Sequence, residues 1–247
     1  MENYSFQKDL IKSLNIAINT NGQYTYIYNP ILKKEFKLLL NKNSISWVMK
    51  YKKQRIEDFL IKKRILNIQI NDDLFCYIYY FYLFILQDIW RIFSFIPKRI
   101  ENVLDIGAGI GLFEIYLNFV NPQINKFTII EKENLFHNDD LIDVLKMCRD
   151  TALSYKLKNN FLFFNDTNYL NINQKFDLVV SFRSWCYKYS IDTYLDFVLQ
   201  SIDKNSSLII DIRNNYNAEK IINRFQESKI ITSYADHKRY LLRKLTK

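Results

Sequence analysis

The sequence predicts an α/β protein: a doubly wound, mainly parallel seven-stranded sheet preceded by an N-terminal helical cap. The prediction rests first on the pattern after Asn102, where short apolar runs alternate with segments of helical spacing. Such alternation implies parallel strands covered by helices on both faces. It rests also on glycine usage. The chain has 4 glycines, and Gly107, Gly109 and Gly111 fall within one turn-like segment. The last support is composition: 49% hydrophobic and 25% charged residues allow a packed core and argue against disorder.

The elements follow in order. Asp9 to Ile18 has apolar residues near helical spacing, and Pro30 opens a second segment through Phe36, Leu39 and Leu40. Trp47 to Leu66 alternates basic and apolar residues three to four apart, and Asp72 or Asp73 can cap an aromatic helix that Pro97 ends. Residues 1–97 are therefore expected to be a helical cap or substrate segment, and 98–247 the sheet domain. Strands are expected at Val103–Ile106, Phe127–Ile130, Phe161–Phe164, Phe176–Ser181 and Ser207–Ile212, with a closing pair at Lys229–Ser233 and Arg239–Lys244. Helices are expected from Leu112 to Phe119, Leu141 to Tyr155, Ile191 to Ile202 and Ala218 to Gln226.

Leu74 to Leu86 is an apolar, aromatic run of thirteen residues, too short to span a bilayer and followed by Gln87, Asp88 and Arg91. It reads as a buried helix, so no transmembrane segment is expected, and the polar N-terminal residues do not resemble a secretory leader. Cys76, Cys148 and Cys186 are widely spaced and odd in number, which matches neither a disulfide framework nor a metal site. A cytoplasmic location and no metal are expected. The net charge of +9 is concentrated early: residues 1–100 carry 16 basic against 8 acidic residues. That excess suits an anionic partner, although a surface of solvated lysines gives the same count.

The glycine loop follows a strand and opens a helix, so its backbone can turn tightly and offer unpaired N–H groups to a ligand. A dinucleotide fingerprint, G-x-G-x-x-G, would need glycine at 112, which is Leu112. The spacing here is instead G-x-G-x-G, with Asp105 two residues ahead of Gly107.

Val103-Leu104-Asp105-Ile106-Gly107-Ala108-Gly109-Ile110-Gly111 resembles the first motif of class I S-adenosylmethionine-dependent methyltransferases, and the likeness extends over about residues 100–245. The resemblance implies S-adenosyl-L-methionine as cofactor. The backbone of Gly107, Ala108, Gly109 and Gly111 would pass its methionine part, with Asp105 helping to orient the ammonium group. Glu131, at the end of the second strand, would accept hydrogen bonds from both ribose hydroxyls. Asp166, with Thr167 beside it, would lie near the adenine amino group, and Ser181 would complete the cofactor-binding set. The segment after the fourth strand, Phe182 to Tyr187, would meet the acceptor, with Arg183, Trp185 and Tyr187 as substrate-binding residues.

Some acceptor classes lose support. Ser181-Phe182-Arg183-Ser184 stands where amino-group methyltransferases carry Asn/Asp-Pro-Pro-aromatic, and Cys186 follows Trp185 rather than proline. The Ser181–Tyr187 run with Asp192-Thr193-Tyr194-Leu195 is similar to loops in sugar O-methyltransferases of bacterial surface-polysaccharide clusters. That likeness implies O-methylation of a small anionic acceptor, a nucleotide-linked sugar or a phosphate or phosphoramidate precursor of a capsule. The front segment would then cover the acceptor and can also supply a homodimer contact. RNA methylation is the alternative, consistent with a pI near 9.2 but lacking a recognisable RNA-binding module. A cofactor-binding scaffold without activity is a third reading. His137 and His237 are the 2 histidines, and neither is assigned as the general base.

Overall fold

The computed structural model describes residues 17–21, 24–29, 34–39, 92, 94–109, 111–132, 135–137, 140–154 and 161–246. The chain divides into two compact units, Met1–Asp88 and Ile89–Lys247.

Within the first unit the described segments are strands, β1 (Ala17–Asn21), β2 (Tyr24–Asn29) and β3 (Lys34–Leu39), in the order β1-β2-β3. They pair antiparallel, with Asn21 opposite Tyr24 and Asn29 opposite Lys34. This corrects the helical reading of Asp9–Ile18 at its end and of the segment through Phe36 and Leu39. The physical reason is legible afterwards. Tyr24-Thr25-Tyr26-Ile27-Tyr28 is a run of strong strand formers, and Gly22 just before it is a turn signal in the sequence. The expected helices over Trp47–Leu66 and Leu74–Leu86 lie outside the described residues.

The second unit is built on β4 (Asn102–Ile106), α1 (Leu112–Val120), β5 (Lys126–Ile130), β6 (Leu135–His137), β7 (Asp140–Ile142) and α2 (Val144–Ser154). It continues with β8 (Phe161–Phe164), β9 (Leu178–Ser181), β10 (Ser184–Tyr189), α3 (Leu195–Ser201), β11 (Ser207–Arg213), α4 (Glu219–Ile222), β12 (Phe225–Ser233) and β13 (His237–Leu245). Seven strands form one sheet in the order β12-β13-β11-β9-β4-β5-β8, and β6 and β7 form a separate hairpin. The strands from β11 to β8 are parallel, whereas β13 runs antiparallel to both β11 and β12, so the sheet is mixed.

The central strands are apolar because they are covered on both faces. Val103 to Ile106, all of β9 and Ser207 to Ile212 are buried. On one side Trp185, Tyr194, Val198 and Ile202 pack on Leu104, Val179 and Leu208. The register fixes the working edge: Ile106 is opposite Ile130, Ile130 opposite Phe164, and Ile210 opposite Ser181. Gly107, Glu131, Asn165 and Phe182 therefore emerge side by side at the carboxyl ends of the strands. Because β13 begins where β11 ends, with His237 opposite Arg213, the β12–β13 turn reaches the same edge. Open parallel sheets bind ligands at this edge. No described helix is long and apolar enough to cross a membrane.

Candidate functional site

The site begins with the loop between β4 and α1. Gly107, Gly109 and Gly111 all have positive φ, at 85°, 62° and 73°. A side chain there would be strained, which explains why the chain places its glycines here. Their surroundings differ. A Cβ on Gly107 would lie 1.9 Å from Ser184 Oγ, and one on Gly111 would lie 2.6 Å from Cys148 Sγ. A Cβ on Gly109 would meet nothing within 4 Å. Two glycines thus serve close packing of the loop on its neighbours, while Gly109 leaves its exposed side open to a ligand.

The loop is held from two directions. Gly107 N–H donates to Ile130 O at 2.8 Å, and Gly111 N–H donates to Ala108 O at 3.1 Å. Glu131 accepts from Gly109 N–H through Oε2 and from Lys132 N–H through Oε1, each at 2.8 Å. Burial pushes the Glu131 carboxyl above its ordinary pKa, and these two backbone donors oppose the shift. The carboxylate placed by sequence at the ribose is thus oriented by Gly109 of the loop on one oxygen and by Lys132 on the other.

Asp105 is buried near the end of β4. It is 2% exposed and lies beside Glu114, in the first turn of α1, which is wholly buried. Asp105 Oδ1 and both Glu114 carboxyl oxygens find no hydrogen-bond donor. Burial, then the neighbouring Glu114, raises Asp105 well above the carboxylate range, and burial also raises Glu114. Burial and the closeness of the two acids thus both favour taking up a proton. Glu114 was not singled out by sequence; its position three residues after Gly111 was the available signal.

Ser181 is fully buried, and its hydroxyl donates to Ile106 O at 2.8 Å while accepting from Trp185 N–H at 3.0 Å. It braces the ends of β4 and β9. Asp166 is exposed, 3.9 Å from Lys132 Nζ, and Thr167 Oγ1 donates to Asn165 Oδ1 at 2.8 Å. Tyr189 joins this side: Lys132 Nζ lies 5.1 Å from its ring centre. Burial, Glu131 and Asp166 push its hydroxyl up to about 12. Asp166 and Tyr189 therefore gather around Lys132, next to Glu131, which is itself tied to Gly109. No sequence signal marks Tyr189, because β10 reads as a loop in sequence.

Past Ser181 the chain turns sharply. Arg183 has φ 55° and Cys186 φ 60°, values that side-chain-bearing residues rarely adopt. The turn carries Phe182 against Phe113 of α1, with ring centres 4.9 Å apart. Trp185 is turned the other way: it is wholly buried, and its Nε1–H donates to Ile191 O at 2.8 Å. The structure brings Arg183 and Tyr187 to the edge but keeps Trp185 in the core.

Beside them lies a polar cluster from β11 and β13. Asp211 and Arg239 are both fully buried and form a bidentate pair at 2.7 and 2.9 Å. His237, also buried, has Nδ1 2.7 Å from Asp236 Oδ1 and Nε2 3.6 Å from Asp211 Oδ2. Tyr187 donates its hydroxyl to Asp236 Oδ2. The Tyr187 and His237 hydrogen bonds hold Asp236 down at about 2. Among the described residues no group of three His, Cys, Asp or Glu side chains could hold a metal ion.

No protein-family model matches the chain, and no curated protein matches it. Solved structures do. MtNAS in complex with MTA and tNA is 13% identical over 83% of this chain and 74% of that one, with a TM-score of 0.52. The StiE O-MT is 16% identical over 59% of this chain, with a TM-score of 0.46, and the match spans 54% of that chain, about half its length. The T. thermophilus 16S rRNA N2 G1207 methyltransferase RsmC, in complex with AdoMet and guanosine, is 14% identical over 64% of this chain and 42% of that chain, with a TM-score of 0.47. The seven-stranded order with one reversed strand, the glycine loop after β4 and the likeness at fold level agree. The chain has the class I methyltransferase fold.

Proposed function

We propose that the chain is an S-adenosylmethionine-dependent methyltransferase acting on a small anionic acceptor, by O-methylation. The observation that carries this reading is Gly109, open on its ligand side and tied by its N–H to Glu131 Oε2 at 2.8 Å. A loop that exposes backbone beside a fixed carboxylate suits the two ends of the cofactor: its methionine part along the loop, and its ribose hydroxyls at Glu131. Asp166, Thr167 and Tyr189 would border the adenine. Ser181 would act through the strand ends it joins.

When bound, S-adenosyl-L-methionine supplies an electrophilic methyl group on sulfur. The chain's contribution is positioning and exclusion of water. Arg183 and Tyr187 stand where an acceptor would approach, and an arginine held there suits a negatively charged one. The reading extends to a nucleotide-linked sugar or a phosphate or phosphoramidate precursor of a capsule, methylated in the cytoplasm.

The test is calorimetric binding of S-adenosylmethionine and S-adenosylhomocysteine, followed by transfer of labelled methyl to nucleotide-sugars and phosphorylated sugars. Labelled product from these acceptors and none from RNA supports the reading. Labelling of RNA alone would replace the acceptor assignment and leave the cofactor assignment standing.

A further inference from the structure

We infer that Arg183 and Arg213 together form a clamp for a divalent oxyanion, the terminal phosphate of a phosphate monoester. This rests on the methyl-transfer reading only in making the clamp's ligand the acceptor.

Two carboxylates at this edge are already paired. Asp211 gives both oxygens to Arg239, at 2.7 and 2.9 Å. Asp236 gives Oδ1 to His237 and Oδ2 to the Tyr187 hydroxyl. Both carboxylates are committed, and among the described residues neither Arg183 nor Arg213 makes an ion pair. The two guanidiniums are nevertheless held. Arg183 Cζ lies 5.7 Å from the ring centre of Tyr234, and Arg213 Cζ 5.3 Å from that of Tyr187. Tyr234 stacks on His237 at 4.2 Å, and His237 meets Tyr187 edge-on at 5.2 Å. One aromatic group, anchored on buried His237, thus carries a cation on either flank.

Both cations act on the Tyr187 hydroxyl. The hydrogen bond to Asp236 raises the Tyr187 hydroxyl above its ordinary pKa, while Arg183 and Arg213 both pull it down. Arg183 is also held at φ 55°, a cost that the surrounding structure must impose. Stacked guanidiniums lose little freedom on binding and present planar forks that match tetrahedral oxyanions. Two such forks match the two charges of a monoester better than the single charge of a backbone phosphodiester. The clamp adjoins the glycine loop, because Ser184, next to Arg183, is the residue against which Gly107 packs.

The test uses the full chain without S-adenosylmethionine, titrated calorimetrically with inorganic pyrophosphate and inorganic phosphate at constant ionic strength. A single-stranded oligonucleotide with blocked ends is the comparison ligand. Arg183→Ala and Arg213→Ala should each weaken pyrophosphate binding by about tenfold or more. Arg213→Lys should recover only part of the loss, since it restores charge but not the fork. Lys204→Ala, at the opposite end of β11, should bind like the parent. An unchanged affinity in Arg213→Ala, an equal loss in Lys204→Ala, or tighter binding of the oligonucleotide would overturn the inference. A separate cofactor titration of each variant keeps failure of the clamp distinct from failure of the methyltransferase reading.

Discussion

Replacing Glu114 with Gln probes the buried acid pair beneath the glycine loop. Asp105 is 2% and Glu114 0% exposed, and three of their four carboxyl oxygens lack a donor. Any ionised acid in this pair is a buried negative charge with few donors to meet it. Taking a carboxylate out of water costs several kcal/mol even after relaxation. The first turn of α1, where Glu114 sits, returns at most about 2 kcal/mol through the helix dipole. Gln keeps the shape and removes the charge. The substitution should therefore stabilise the fold by about 1–3 kcal/mol at pH 8. In a domain of this size that raises Tm by about 2–12 °C.

The pH dependence carries the sign. Both folded-state pKa values are raised above the ordinary ones, Asp105 most, by burial and then by Glu114. The folded state binds more protons than the unfolded one, so stability falls as pH rises from the usual carboxylate range through the raised values. The parent should lose stability across that window and Glu114→Gln should lose less, the two curves meeting at acid pH. Urea unfolding followed by circular dichroism from pH 4.5 to 8.5 measures this. A variant less stable than the parent at pH 8 would refute the reading of the pair as a buried charge that costs stability.

Glu131→Ala should weaken S-adenosylmethionine binding by about a hundredfold, through loss of charge-assisted bonds to two hydroxyls. Calorimetry reads it, and unchanged affinity removes Glu131 from the cofactor site. Gly107→Ala should destabilise strongly, because its Cβ would overlap Ser184 Oγ at 1.9 Å. Gly109→Ala meets no neighbour and should cost only about 1–2 kcal/mol of backbone strain while blocking the cofactor. Equal thermal destabilisation by the two would contradict the division of roles between these glycines. Asp211→Asn leaves Arg239 buried without its carboxylate and should cost about 3–5 kcal/mol in urea unfolding. A loss below about 1 kcal/mol would show that the pair is dispensable.

Much of the second unit was legible because buried parallel strands are continuous apolar runs. Phe161–Phe164 agrees residue for residue, and Val103–Ile106 and Phe127–Ile130 each gain one residue at the start. Segments set by tertiary pairing were not. The helix expected from Ala218 to Gln226 covers only Glu219–Ile222, because Phe225 already enters β12 opposite Leu245. The helix expected from Leu141 starts at Val144, since Asp140–Ile142 pairs with Leu135–His137. In β10 an extended segment follows a strand with only a two-residue turn, which resembles a loop in sequence.

The site divides in the same way. Glu131 was legible from its distance after Gly111, a local regularity of strand, loop and helix. The partnership of Tyr187 with Asp236 spans 49 residues and depends on β13 inserting beside β11. Nothing local encodes it, so Arg213 and the His237 cluster emerge only with the fold. Trp185 and Tyr187 looked alike in sequence; the left-handed turn at Cys186 sends one inward and leaves the other at the edge.

The central claim is that the loop from Gly107 to Gly111, with Glu131, holds S-adenosylmethionine. Calorimetric titration of the full chain with S-adenosylmethionine and S-adenosylhomocysteine, with NAD as the control, tests it most directly. The account predicts micromolar binding of both sulfur nucleotides and none of NAD. Binding of NAD with silence from both sulfur nucleotides would contradict it.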